Sequence, residues 1–178
     1  METIAIYWEA KIRTYGLNLL EGLTLYRLAL NVGQVGQWAH ACQEPCIPEA
    51  AFRLVWYQID GPGRAVFRLV CDDPGRQAVE TVMAPFFKAG PCAQLPVDII
   101  FFQGPHYGDR YGIMDFTYQA LAQGQISLVG AVCSVATIYL VVPAGQGRAA
   151  VQLLAQAFDI PKSADRKGPE TNGGHIDE

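Results

Sequence analysis

The sequence predicts an α+β fold: two tandem ferredoxin-like modules (βαββαβ), with helices on one face of antiparallel sheets. Three observations predict it. Segments of period two and segments of period 3.6 follow in the order strand, helix, strand, strand, helix, and that order occurs twice. The two middle strands of the first half are joined by Asp60-Gly-Pro-Gly63, a hairpin turn signal. A βαββα unit that gains one more strand is the ferredoxin-like sandwich, two helices on four antiparallel strands.

Residues 3 to 15 alternate, with Ile4, Ile6, Trp8, Ala10 and Ile12 on one side and Tyr7, Glu9, Lys11, Arg13 and Tyr15 on the other. That is a half-buried strand. Gly16 to Gly22 reads as a turn into a second strand, Leu23 to Leu30, making an antiparallel hairpin. Asn31 to Gly36 breaks that strand, and a helix from about Val35 to Gln43 ends before Pro45 and Pro48. Strands follow at Phe52 to Ile59 and Arg64 to Cys71. Asp72-Asp-Pro-Gly75 opens the next helix, where aspartate suits the dipole. Val79, Val82, Met83, Phe86 and Phe87 line its inner face, and Pro85 kinks or ends it. Lys88 to Pro96 reads as a linker.

The second half has a strand at Val97 to Phe102, a helix at Tyr111 to Gln123, and strands at Ile126 to Val132 and Thr137 to Val142. A last helix runs from Gly147 to Phe158. The two halves align, Gly36 with Gly112, Phe67-Arg-Leu-Val70 with Ile138-Tyr-Leu-Val141, and Phe87 with Phe158. The expected division is a first module over 1–90, with the N-terminal hairpin strand as its fourth strand, and a second over 91–160. The tail, 161–178, is too polar to fold. It leaves the second module without a fourth strand. The apolar edge at Val97 to Phe102 therefore needs a cover, from the sister module or from a second chain.

With 51% hydrophobic residues there is material for a core, and 178 residues suffice for one domain or two small ones. A net charge of -4 without any basic run argues against a nucleic-acid partner. Glycine, proline or charge interrupts every apolar run before it reaches membrane-spanning length, so no membrane partner is expected. Met1 to Glu9 lacks the pattern of a signal peptide, and the expected location is cytoplasmic. Five cysteines at irregular spacing (Cys42, Cys46, Cys71, Cys92 and Cys133) do not form a disulfide framework and suit buried positions in a reducing compartment.

The stretch Gln103-Gly-Pro-His-Tyr-Gly-Asp-Arg-Tyr-Gly-Ile-Met-Asp-Phe116 joins strand to helix with three glycines. Glycine allows close approach of backbone, to a ligand or within a tight turn. The aligned loop of the first half, Asn31 to Gly36, shares the glycines but lacks the Pro-His-Tyr and Asp-Arg additions.

Gly108-Asp-Arg-Tyr-Gly-Ile113, with Phe116 one turn on and then Ala120-Leu-Ala-Gln-Gly-Gln-Ile-Ser-Leu128, resembles the ACT domain family, specifically the second ACT module of aspartate kinases. The resemblance covers 97 to 158 well and 23 to 87 more loosely. A kinase domain has no counterpart here, and no phosphate-binding glycine loop followed by lysine is present. The resemblance implies a free-standing regulatory or sensor protein that binds a small ligand, most naturally an amino acid, at a module or dimer interface. It implies no catalytic role and no cofactor. By position it implies ligand contacts at His106, Gly108, Asp109, Arg110, Tyr111, Gly112 and Ile113, facing Val132, Cys133, Ser134 and Val135. Asn31, Gly33, Gln34, Val35 and Gly36 are the first-half counterparts. Partners would be a second copy, joined through sheet edges or helices, or a biosynthetic enzyme.

Two other readings are open. His106 and Asp109 could serve acid–base chemistry, with Cys133 or Ser134 as nucleophile. The tandem could also be a structural module that binds protein through a sheet edge. His40, Cys42 and Cys46 suggest a metal site, but Pro45 breaks their helix and a fourth ligand is missing, so core cysteines are expected. Trp8, Trp38 and Trp56 are expected in the core, and Arg64 and Arg68 as solvated charges on one strand face.

Overall fold

In the computed structural model, one strand of 16 residues, β1 (Gly16–Asn31), carries both halves of the chain. The structure describes residues 11–43, 52–87, 93–105, 107–108 and 110–161. β1 is followed by α1 (Val32–Ala41), β2 (Phe52–Ile59), β3 (Arg64–Asp72) and α2 (Asp73–Phe87), then by β4 (Ala93–Gln103), α3 (Ile113–Gln123), β5 (Gly130–Cys133), β6 (Thr137–Pro143) and α4 (Gly147–Ala157). The strands form one antiparallel sheet in the order β2-β3-β1-β4-β6-β5.

β4, the strand whose edge the sequence left open, is central. It lies between β1 and β6. Each half therefore completes the other: β1 and β4 are the first strands of their units, and each occupies the fourth-strand place beside its sister. The N-terminal segment does not take that place. Residues 11–15 form no strand; Arg13 makes an isolated parallel bridge with Asp159, and the Thr14 hydroxyl donates to the Gln103 carbonyl at 2.7 Å. Residues 3–10 lie outside the described residues.

Gly16 to Gly22 is strand, not the expected turn. What the glycine marks is a bulge. Between Leu20 and Leu23 the register on β4 steps from Ile99 to Val97, so β1 carries one extra residue. Gly22 takes φ +72 there, a conformation glycine adopts without strain. One extra residue reverses which side chains face which way. Leu17 and Leu19 pack into the second-half core, whereas beyond the bulge it is Tyr26, Leu28 and Leu30 that face helices.

All four helices cover one face. Against α1 and α2 lie Tyr26, Leu28, Leu30, Phe67, Leu69 and Cys71, with Trp38 and Met83 from the helices. Against α3 and α4 lie Ile100, Phe102, Ile138, Leu140 and Val142, with Leu121 and Leu154. The other face has no helix among the described residues, yet Leu23, Leu25, Val70, Val97, Ile99 and Val141 are buried on it. The sheet curls over them: Trp56 on edge strand β2 touches Gly130 on the opposite edge strand, β5.

Asp98 pins α4 to the sheet. It is buried, and its Oδ2 accepts the backbone N–H groups of Gly145 at 2.8 Å and Gly147 at 3.1 Å. A carboxylate at a helix start satisfies donors the helix cannot.

Other boundaries moved. The strand expected over Ile126 to Val132 is only Gly130–Cys133; Ile126 and Leu128 reach the core from a coil. α1 starts at Val32 rather than Val35, α3 at Ile113 rather than Tyr111, and β4 at Ala93 rather than Val97. Pro85 stands inside α2, two residues before its end. No helix among the described residues is long and apolar enough to cross a membrane.

Candidate functional site

β4 ends at Gln103, and segment 104–112 carries the chain to α3. Gly104 has an architectural reason. A Cβ there would stand against the Arg13 carbonyl and the Tyr107 ring, so only glycine lets the strand end pass beneath the N-terminal segment. Tyr107 is buried, packs edge-on to Phe102, and burial pushes its phenol up. Gly108 faces Val135, whose carbonyl would stand 3.1 Å from an added Cβ.

Gly112 is the N-cap of α3, with φ 81 and no side-chain cap. Val and Ile would be strained in this left-handed conformation. The first-turn N–H groups of α3 therefore receive no side-chain acceptor from the N-cap residue, and Asp115 is the acidic side chain of that turn. Beside these N–H groups lies a cavity of about 250 Å³ lined by Tyr107, Arg110, Tyr111, Gly112, Ile113, Met114, Cys133, Ser134 and Ile138. It is smaller than most drug-sized pockets, about 300–1,000 Å³, and suits a small ligand.

Of the second-half residues read from the sequence, Arg110, Tyr111, Gly112, Ile113, Cys133 and Ser134 thus meet around one cavity. Gly108 is near it, against Val135. Val132 is half-buried within β5, paired with Tyr139. His106 and Asp109 lie outside the described residues. Sequence reading missed Tyr107, Met114 and Ile138. Register was the available signal for Ile138, which pairs with both Phe102 and Cys133.

The first half has no such loop. Asn31 ends β1 and is itself the N-cap of α1. Gly33, Gln34, Val35 and Gly36 are helical, and Val35 packs on the core. The alignment of Gly36 with Gly112 is therefore corrected: the position matching Gly112 is Asn31. The start of α1 is also occupied. The Gln34 side chain accepts the Asn31 N–H at 3.0 Å, and the Val32 N–H donates to the Gly63 carbonyl at 2.9 Å. The two helix starts do not converge. Because β1 and β4 are antiparallel, with Gly16 opposite Gln103, they stand at opposite ends of the sheet, on the order of 45 Å apart at about 3.3 Å per residue.

Cys133 is exposed, and partial desolvation raises its thiol. His40 is exposed and Cys42 packs against the first-half core, with its thiol also raised by burial. Cys46 lies outside the described residues, and among those described no three metal-ligating side chains converge. A wider groove of about 300 Å³ between α3 and α4 has an apolar floor that includes Phe116 and Leu153 and a rim of Lys11, Gln119, Gln123 and Gln156. Its lining holds no helix start.

Two βαββα units in tandem share one antiparallel sheet, with the described helices on one face. Solved structures carry the same fold. The regulatory subunit of aspartate kinase from Thermus flavus superposes with a TM-score of 0.70 at 17% identity, over 83% of this chain and 99% of that one. The ligand-free regulatory subunit from Thermus thermophilus gives 0.68 at 20% identity, over 82% and 99%. Aspartate kinase from Clostridium acetobutylicum gives 0.69 at 13% identity, over 85% of this chain but 36% of the enzyme. At these identities the likeness is one of fold. No family model and no curated protein matches the chain.

Proposed function

We propose that the chain is a regulatory module that binds a small ligand, an amino acid, in the second-half cavity, and passes the binding signal to a partner enzyme or a second copy. What carries this reading is the asymmetry between the halves. The second has a loop before its helix, a glycine N-cap and a cavity beside its helix start, whereas among the described residues α1 follows β1 directly and its start is capped. An amino acid's carboxylate fits the first N–H groups of α3 and the dipole. The Arg110 guanidinium suits a carboxylate, the ligand's main one or a side-chain one. Ser134 offers a hydroxyl, and Ile113, Met114 and Ile138 offer an apolar wall.

The test is thermal denaturation in the presence of each of the twenty amino acids. A ligand at 100 times its Kd stabilises by about 2.7 kcal/mol. One amino acid, or a few related ones, should raise Tm, and Arg110→Ala or Ser134→Ala should weaken the response. If none raises it, the amino-acid reading fails.

A further inference from the structure

Arg27 on β1 and Arg68 on β3 stand directly opposite each other in the antiparallel register. Both belong to the helix-free face, two residues along from the buried pair Leu25 and Val70. Residues so paired have Cβ atoms about 4.5–5.5 Å apart, and like charges at that spacing destabilise a sheet. Both residues are half-buried, and the Arg68 contact with Gln58 lies at the exposed surface. Among the described residues no carboxylate pairs with either. Arg68 lies over the Trp56 ring at 5.9 Å and donates to Gln58 Oε1 at 3.4 Å. Arg27 makes no hydrogen bond or ion pair among the described residues. Asp72, farther along β3, is taken by Arg53 at 2.6 Å. Arg64 is exposed and Arg68 half-buried, and no pattern in the sequence shows that Arg27 faces Arg68.

We propose that Arg27 and Arg68 form a binding site for a small oxyanion, carboxylate or phosphate, with Trp56 and Gln58 at its margin. A doubly charged oxyanion between two guanidinium groups turns their repulsion into two charge-assisted contacts, and the planar fork of arginine matches both carboxylate and phosphate. The indole beside Arg68 lowers local hydration on one side and strengthens those contacts. The site lies wholly in the first half, apart from the cavity at α3, and stands or falls independently of it.

The test compares the full chain with Arg27→Gln and Arg68→Gln by thermal denaturation. The probes are inorganic pyrophosphate and succinate, each against sodium chloride at equal ionic strength. In the wild type one of the two raises Tm along a saturating curve, and pyrophosphate or succinate as the better probe tells phosphate from dicarboxylate. In each variant the apparent Kd weakens about tenfold or more, the loss expected for one hydrogen bond to a charged group. In chloride alone Arg27→Gln is at least as stable as the wild type, because the repulsion has gone. The proposal is overturned if neither probe acts beyond chloride, or if both variants respond like the wild type. It is equally overturned if Arg27→Gln is destabilised in chloride, which would make the pair structural.

Discussion

The indole of Trp56 rests on Gly130, and the two residues belong to opposite edges of one six-stranded sheet. A Cβ on Gly130 would stand 2.8 Å from Trp56 Cζ2. The contact closes the curl over Leu25, Val70, Ile99 and Val141, which no described helix covers. Gly130→Val should therefore push the edges apart, at about 1–3 kcal/mol in urea denaturation. Trp56→Ala should cost about 2–3 kcal/mol, somewhat below a fully buried tryptophan because the ring is half-exposed. The double variant should cost less than the sum, since the valine then occupies vacated space. Strict additivity would mean that the edges do not meet in solution.

Asp98→Ala should be more costly than any surface carboxylate change. It leaves the N–H groups of Gly145 and Gly147 without their acceptor and opens a gap beside Leu19, which approaches Gly147 from the other side. A loss of about 2–4 kcal/mol is expected from two orphaned donors. Asp98→Asn keeps one acceptor oxygen and should lose about half as much. Hydrogen exchange at the first turn of α4 would locate the effect: protection there should fall first.

Stability should decline on the alkaline side. Burial, then Asp72 beside it, pushes the Cys71 thiol up to about 11 from the ordinary 9.0. Burial and the hydrogen bond to Glu80 likewise raise the Tyr26 phenol. Folding holds these groups neutral where the unfolded chain would ionise. Above pH 9 the folded state binds more protons than the unfolded, so stability falls as pH rises, through about 11 for the thiol. Unfolding free energies from urea titrations at pH 8 and 10.5 should differ by about 2 kcal/mol in the wild type, and by clearly less in Cys71→Ala. On the acid side Arg76, then Tyr26, holds the Glu80 carboxyl below its usual range, so that support is present above pH 4.5 and lost below it.

The elements most legible in the sequence were those fixed by local chemistry. The hairpin at Asp60 to Gly63 follows from glycines that take φ +85 and +71, and the amphipathic helices follow from their period. What misled was chemistry with two meanings. Gly22 marks a bulge inside a strand as readily as a turn between strands. Ile126 and Leu128 alternate like a strand but fill the core from a coil, because pairing depends on partners that periodicity does not reveal. The cover for β4 was anticipated as the sister module or a second chain; that it is β1 itself depends on the bulge, which lets one strand serve two cores. Of the candidate site, the second-half loop was readable from its residues. Its supposed counterpart was not, since Asn31 to Gly36 contains the same glycines in a helix.

That difference yields the last prediction. Gly36 lies inside α1, with no atom within 4 Å of a Cβ built on it. Glycine within a helix is worse than alanine by about 0.5–1 kcal/mol. Gly36→Ala should therefore stabilise by that amount and leave any amino-acid response intact. Gly112 also has open space around it, but φ +81 makes alanine strained there by about 1–2 kcal/mol. Gly112→Ala should destabilise, and relief of the strain should turn the first N–H groups of α3 away from the cavity, weakening the response to ligand as well. The paired measurement is a urea titration with a thermal-shift titration of the responding amino acid. If the two substitutions act alike in both, the halves share one loop after all, and the assignment of binding to the second half loses its basis.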